Sequence, residues 1–235
     1  MKLLFIGDTH GEKDLGKLRS AWPALGLGRR DAVIHCGDFG APWIHDTDAT
    51  LAWWQALPAK KVVCLGNHEN YGWIKRQPLR RRFGALGYDL GGGIFAPLAG
   101  QVAHIGGRSF WFYTGGLSID FFLRTPGRNA FADELLPHAD AERALANLAR
   151  HAPVDYVVTH DGPRRHVEER FGFRIGLPPA SYYQHFGEPP GSRAHPGYVL
   201  DNVLPNQYHK WYFGHHHHDD AYGRLRCLYR VMVLE

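Results

Sequence analysis

The stretch Lys61–Glu69 constrains the fold most, because a short apolar run, Val62-Val63-Cys64-Leu65, passes directly into Gly66-Asn67-His68-Glu69. The β-branched pair favours a buried strand, and Gly66 permits a sharp exit. Crowding an amide, an imidazole and a carboxylate at one strand end is costly unless they act together. An apolar run leading into ligand-type residues recurs at Ile6-Gly7-Asp8-Thr9-His10, Cys36-Gly37-Asp38, Val157-Val158-Thr159-His160 and Phe213-Gly214-His215-His216-His217. Five strand ends are therefore expected to converge on one site.

A chain of 235 residues can bury one sizeable core, so a single domain over 1–235 is expected. With 27 Lys and Arg against 23 Asp and Glu, the +4 excess permits an anionic substrate without indicating a nucleic-acid partner. Three cysteines cannot all pair with one another, and Cys36 and Cys64 sit in apolar runs, so they read as reduced core residues of a reducing compartment. The apolar start, Met1 to Ile6, is too short for a signal peptide. No stretch approaches the roughly 20 apolar residues of a membrane helix. A cytoplasmic protein is expected.

Along the chain, residues 2–6 predict a strand, Asp14 to Trp22 a helix closed by Pro23, and Asp31 to Cys36 a second strand. Pro42 can open a helix running to Leu57, with Ile44, Leu51 and Trp54 on its apolar side. This alternation predicts βαβ crossovers and a parallel sheet. Gln101–Ile105 and Ser109–Tyr113, separated by Gly106-Gly107-Arg108, read as a hairpin of a second sheet. Asp140 is placed to cap a helix through Arg150, ahead of a strand at Tyr156–Thr159. The Gly- and Pro-rich residues 171–197 read as a long loop or lid. A helix near Tyr198–Leu204, a strand at Lys210–Phe213 and a strand pair around 222–233 finish the chain. The fold class is α/β, a two-sheet β-sandwich with helices outside.

Asp8 and His10 are two residues apart, as are His215 and His217, so in an extended chain each pair projects to one side and can grip a metal. Asp, Asn and His together suit divalent manganese, iron or zinc, and the absence of clustered cysteines argues against a closed structural zinc site. Asp38 reads as a carboxylate bridging two ions, with Asn67 and His160 as further ligands, giving seven side chains for two metals. The run His215-His216-His217-His218 lies within the chain, after an apolar Trp211-Tyr212-Phe213, and is no terminal tag. Gly214 favours His215 and His217 as the inward pair, with His216 and His218 facing away.

These motifs, Asp-x-His, Gly-Asp, Gly-Asn-His-Glu, a lone His and Gly-His-x-His in that order, resemble the calcineurin-like metallophosphoesterases from Asp8 to His217. Gly115-Gly116-Leu117-Ser118-Ile119-Asp120 with Arg124, and Thr159-His160-Asp161-Gly162-Pro163, are similar to one bacterial and phage branch. The resemblance implies a four-layer sandwich, with Asp8, His10, Asp38 and His217 on one metal and Asp38, Asn67, His160 and His215 on the other. Manganese is the expected ion, with iron, zinc, nickel or magnesium as alternatives. His68 corresponds to a non-ligand histidine that contacts the phosphoryl group and protonates the leaving oxygen, while Asp38 is both ligand and part of the catalytic centre. Arg124 and Asp120 are implied as substrate or supporting residues. Ala130-Phe131 departs from the pattern where relatives of this branch carry two bulky aromatics.

The implied activity is hydrolysis of a phosphomonoester or phosphodiester by in-line attack of a metal-bridging hydroxide. Two other readings stand beside it. Some members of the fold bind proteins without catalysis, having lost the residue that matches His68, which is present here. Repair nucleases of the superfamily have a more basic groove than a charge of +4 suggests.

Overall fold

The computed structural model describes residues 1–44 and 48–235. Alternation along the central strands sets the layers. In the strand Leu3–Ile6, Leu4 and Ile6 pack to one side and Leu3 and Phe5 to the other; in Ala32–His35 the same division separates Val33 from Ile34. Parallel strands that are apolar on both faces need cover on both. Helices Gly16–Leu25 and Ala49–Ala56 cover one face through Leu18, Leu51 and Trp54. A second sheet covers the other through Phe110, Phe112, Tyr156, Val158 and Tyr212, with the Phe5 and Tyr212 rings stacked 3.9 Å apart. The outer face of that second sheet, carrying Trp111, Val157 and Trp211, receives helix His138–His151 through Ala141, Ala144 and Leu148. The result is the expected α/β sandwich of two sheets flanked by helices.

The first sheet runs in space Val233–Leu234, Leu3–Ile6, Ala32–His35, Lys60–Val63, Ile94–Pro97, Ala85–Gly91, Leu79–Arg82, and the four strands from Leu3–Ile6 to Ile94–Pro97 are parallel. The second runs Asp220–Tyr222, Leu225–Cys227, Tyr208–Phe213, Val154–Thr159, Arg108–Tyr113, Val102–Ile105, with its inner four strands parallel. Arg108–Tyr113 and Val102–Ile105 form the expected hairpin. In an open parallel sheet, function collects beyond the carboxyl ends of the strands, and both sheets carry ligand-type loops there.

Several local expectations change. Pro23 lies inside helix Gly16–Leu25, near its end, and Gly26 in the left-handed region closes it instead. Residues 41–44 are not helical; of the expected Pro42–Leu57 helix only Ala49–Ala56 forms, capped by Asp48, and residues 45–47 lie outside the described residues. Helix His138–His151 begins after Pro137, which places Asp140 in the first turn, where its charge opposes the helix dipole's positive end. The 171–197 segment is partly regular. Ala180–Phe186 is helical, and Arg193–Ala194 pairs with Leu136–Pro137. The next helix is Pro196–Leu200, starting two residues earlier than expected because Pro196 takes its first turn. Of the closing strands, Val233–Leu234 joins the edge of the first sheet. Cys36, Cys64 and Cys227 are buried and unpaired. Among the described residues, no helix is long and apolar enough to cross a membrane.

Candidate metal centre

The loops meet because two glycines leave room for the neighbouring loop's side chain. A Cβ on Gly37, whose φ is +94°, would lie 2.2 Å from Nδ1 of His160, and one on Gly66 would lie 2.3 Å from Oδ1 of Asp38. Each motif's glycine is thus the floor on which another motif's ligand-type residue rests. The loops are also laced together: the amides of Thr9 and His10 donate to the Asp38 carbonyl at 3.0 and 2.8 Å, and that of Gly214 to the His160 carbonyl at 2.9 Å. Buried Glu69 accepts from the amides of Phe39, Gly40 and Gly66 at 2.9–3.1 Å and so clamps two strand ends.

Six non-glycine residues among those described have positive φ, and five are Asp8, His10, Asp38, His215 and His217, at +46° to +69°. This conformation disfavours side-chain-bearing residues and gathers at functional sites. It also corrects the extended geometry expected for the two i, i+2 pairs. They are aimed by left-handed turns.

Asp8, His10, Asp38 and His217 form one group, with one ligand atom from each within 4.8 Å of all the others. His10 Nε2 lies 3.1 Å from Asp38 Oδ2 and 3.3 Å from His217 Nε2. A second group gathers at the other carboxylate oxygen: His160 Nε2 is 3.1 Å from Asp38 Oδ1 and 2.9 Å from Asn67 Oδ1. The His215 ring centroid is 4.9 Å from that of His160. Asp38 therefore stands between the groups with one oxygen toward each.

The outer atoms of these rings fix their tautomers. His10 Nδ1 donates to Asp14 Oδ2 at 2.8 Å, and His160 Nδ1 to the Cys36 carbonyl at 2.9 Å. Asn67 Nδ2 donates to Ser118 Oγ at 2.9 Å, which turns Oδ1 inward. Each neutral imidazole then points a lone pair at oxygen acceptors, an arrangement that only a cation, proton or metal, reconciles. The residues fit divalent ions on this ground. Burial disfavours charge on His160, yet Asp38 outweighs it and pushes the imidazole up to about 10. Asp38, although buried, is held well below the carboxylate range by His160 and His10. Burial lifts Asp8 to about 6.

The chain matches the family model described as calcineurin-like phosphoesterase over residues 1–219. It belongs to the calcineurin-like phosphoesterase family. The family and the Asp and His groups together support metal-dependent phosphoester hydrolysis in general terms. No curated protein matches significantly. Among solved structures, the protein of unknown function AQ665 from Aquifex aeolicus is similar at 14% identity, covering 79% of this chain and 93% of that one with a TM-score of 0.34.

In this phosphoesterase family member, His68 stands beside the ligand groups, its ring stacked with Trp43 at 5.4 Å and edge-on to His10 at 5.2 Å. Burial, with Arg124 adding to it, lowers the His68 imidazole to about 4. Arg124 is itself held by Asp120 Oδ2 at 3.0 Å and reaches Ser118 Oγ at 3.1 Å.

His216 departs from its expected outward direction. Its Nε2 lies 2.8 Å from Asp161 Oδ1 inside the protein, and Asp161, His215 and His216 form a further cluster. A buried carboxylate needs a partner, and the turn after Gly214 supplies His216 to it. His218 is exposed, as expected. Sequence reasoning also assigned no role to Glu134, a buried carboxyl that burial raises to about 8 and that accepts from Ser118. No motif marks it, because it reaches the site through that serine and through its own carbonyl, which accepts from the Gly116 amide at 3.1 Å.

Proposed function

We propose that the chain is a binuclear-metal-dependent phosphoesterase that hydrolyses a phosphomonoester or phosphodiester by in-line attack of water. The observation that supports this most is the division of Asp38, with Oδ2 toward His10 and Oδ1 toward His160. Under this reading Asp8, His10, Asp38 and His217 hold one ion, and Asp38, Asn67, His160 and His215 the other. The mixture of carboxylate, amide and imidazole donors suits manganese first, with iron, zinc, nickel or magnesium as alternatives. Bound ions of this kind supply positive charge to phosphoryl oxygens and make water more acidic.

The chain's own residues position the reaction. Asp14 and the Cys36 carbonyl hold the His10 and His160 rings, and Ser118 holds the Asn67 amide. Arg124 donates to His68 Nε2, so the one N–H of the neutral ring is at Nδ1, free to donate to a phosphoryl or leaving oxygen. Water's oxygen stays on phosphorus and its proton passes to solvent; the P–O ester bond breaks, and the departing oxygen, hydrogen-bonded by the neutral His68 Nδ1–H, takes a proton from solvent and leaves as an alcohol. Buried, unpaired cysteines support a cytoplasmic setting.

The test is hydrolysis of p-nitrophenyl phosphate and bis(p-nitrophenyl) phosphate with and without manganese. Metal-dependent turnover of either supports the reading. Turnover of neither would favour a non-catalytic scaffold, and turnover of DNA or RNA alone a nuclease.

A further inference from the structure

The cavity beside Asp38, Asn67 and His68 encloses about 640 Å³, far more than a phosphoryl group fills. Away from the ligand-type residues, its walls come from two segments. One brings Leu117 and Ile119, the other Phe173, Arg174 and Ile175. Ile119 is 85% exposed and Phe173 39%, so both line the cavity with side chains open to contact, as the apolar wall of a binding cleft does. Each segment rests on an ordered base: Phe121 packs edge-on against Tyr182 at 5.3 Å and His185 at 5.6 Å, while the Ile175 amide donates to Glu168 Oε1 at 3.0 Å and its carbonyl accepts from the Tyr198 hydroxyl at 2.9 Å. A neighbouring groove of about 570 Å³ shares only His195 with this cavity and contains none of the ligand-type residues.

Arg174 differs from the arginines near it in sequence. Arg164 pairs with Glu168, Arg170 with Asp220 and Arg193 with Glu188. Arg174 is exposed on the cavity wall, and among the described residues no carboxylate pairs with it. A guanidinium set between apolar side chains is a ready partner for a carboxylate or phosphate.

We propose that this rim is the subsite for the organic part of the substrate. The preferred phosphoester carries an apolar group, which lies against Ile119 and Phe173, and a second anionic group, which pairs with Arg174. This rests on the phosphoesterase reading and names the substrate class of that same site. Small polar phosphoesters, such as glycerol phosphate, leave the rim uncovered and Arg174 unpaired, and are poor substrates.

The experiment is calorimetric binding of three non-hydrolysable phosphonates to the manganese-loaded protein: ethylphosphonate, benzylphosphonate and 4-carboxybenzylphosphonate. Benzylphosphonate is expected to bind on the order of tenfold more tightly than ethylphosphonate, and the carboxylated compound several-fold more tightly again. Phe173→Ala and Ile119→Ser should each reduce the first gain, and Arg174→Ala should remove the second, with ethylphosphonate affinity unchanged in all three. Equal affinity for the three compounds, or a carboxylate gain that survives Arg174→Ala, would overturn the proposal alone. Failure of all three to bind, together with no nitrophenyl ester hydrolysis, would overturn the phosphoesterase reading and this one with it.

Discussion

Arg124 sets its Nη2 atom 2.7 Å from Nε2 of His68, so the imidazole faces a guanidinium where a general acid would usually face a carboxylate. A guanidinium only donates, so this contact requires an unprotonated Nε2 and favours the neutral ring. The hydrogen bond that His68 offers a substrate is therefore made through Nδ1–H.

Removing the guanidinium tests that relationship. Burial is the larger cause of the low His68 value and Arg124 an additional one, so Arg124→Ala should move it upward from about 4 toward the ordinary imidazole range. Histidine-selective NMR titration of the metal-free protein reads the shift. An unmoved resonance would show that the contact does not form in solution.

His68→Ala should keep bound metal and lose turnover. A hydrogen bond to charge developing on a departing oxygen is worth about 10² to 10³ in rate and less when the leaving group is already acidic. The fall in kcat is therefore expected to be larger for an alkyl phosphoester than for a nitrophenyl ester. Equal falls would place the His68 hydrogen bond on a phosphoryl oxygen and not on the leaving oxygen.

Glu134 links the site to stability. Its folded value of about 8 lies above the ordinary 4.5, so the folded state holds a proton that the unfolded chain releases. That contribution is complete below about pH 4.5 and is lost as pH rises through about 8, with a slope of up to about 1.4 kcal/mol per pH unit. Glu134→Gln should remove this slope from urea unfolding of the metal-free protein between pH 5 and 8. An identical pH profile in the two proteins would place Glu134 as ionised and solvated.

Much of this site was legible because strand-end motifs carry their own punctuation: Gly37 and Gly66 mark close approach, and Asp38, Asn67 and His160 follow within three residues of apolar runs. The parallel order of the first three strands followed from the same alternation. What was hidden depends on long-range pairing. The strand Ala85–Gly91 has glycines at 87 and 91 and no clean period, and it becomes a strand by pairing with Ile94–Pro97. His216 turns inward because Asp161, 55 residues earlier, needs a partner. Left-handed backbone at Asp8, His10 and His217 breaks the period-two argument that selected the same residues.

The close approach at Gly66 gives a test of its own. In Gly66→Ala the new Cβ would meet Asp38 Oδ1 at 2.3 Å and the Asp38 amide at 2.4 Å, and the backbone atom cannot move aside cheaply. Overpacking of this kind costs about 1–3 kcal/mol. The variant should lose stability and bind manganese more weakly, as calorimetry with added metal would read. Unchanged manganese affinity would show that the loop absorbs a methyl group without shifting Asp38.

The central claim is that Asp38 joins two metal sites, and metal stoichiometry tests it most directly. Elemental analysis of the manganese-loaded protein should return close to two ions per chain, and Asp38→Asn should lower occupancy of both sites, because the amide nitrogen cannot replace one of the two carboxylate oxygens. Full two-ion occupancy in Asp38→Asn, or a single ion in the unaltered protein, would contradict the account.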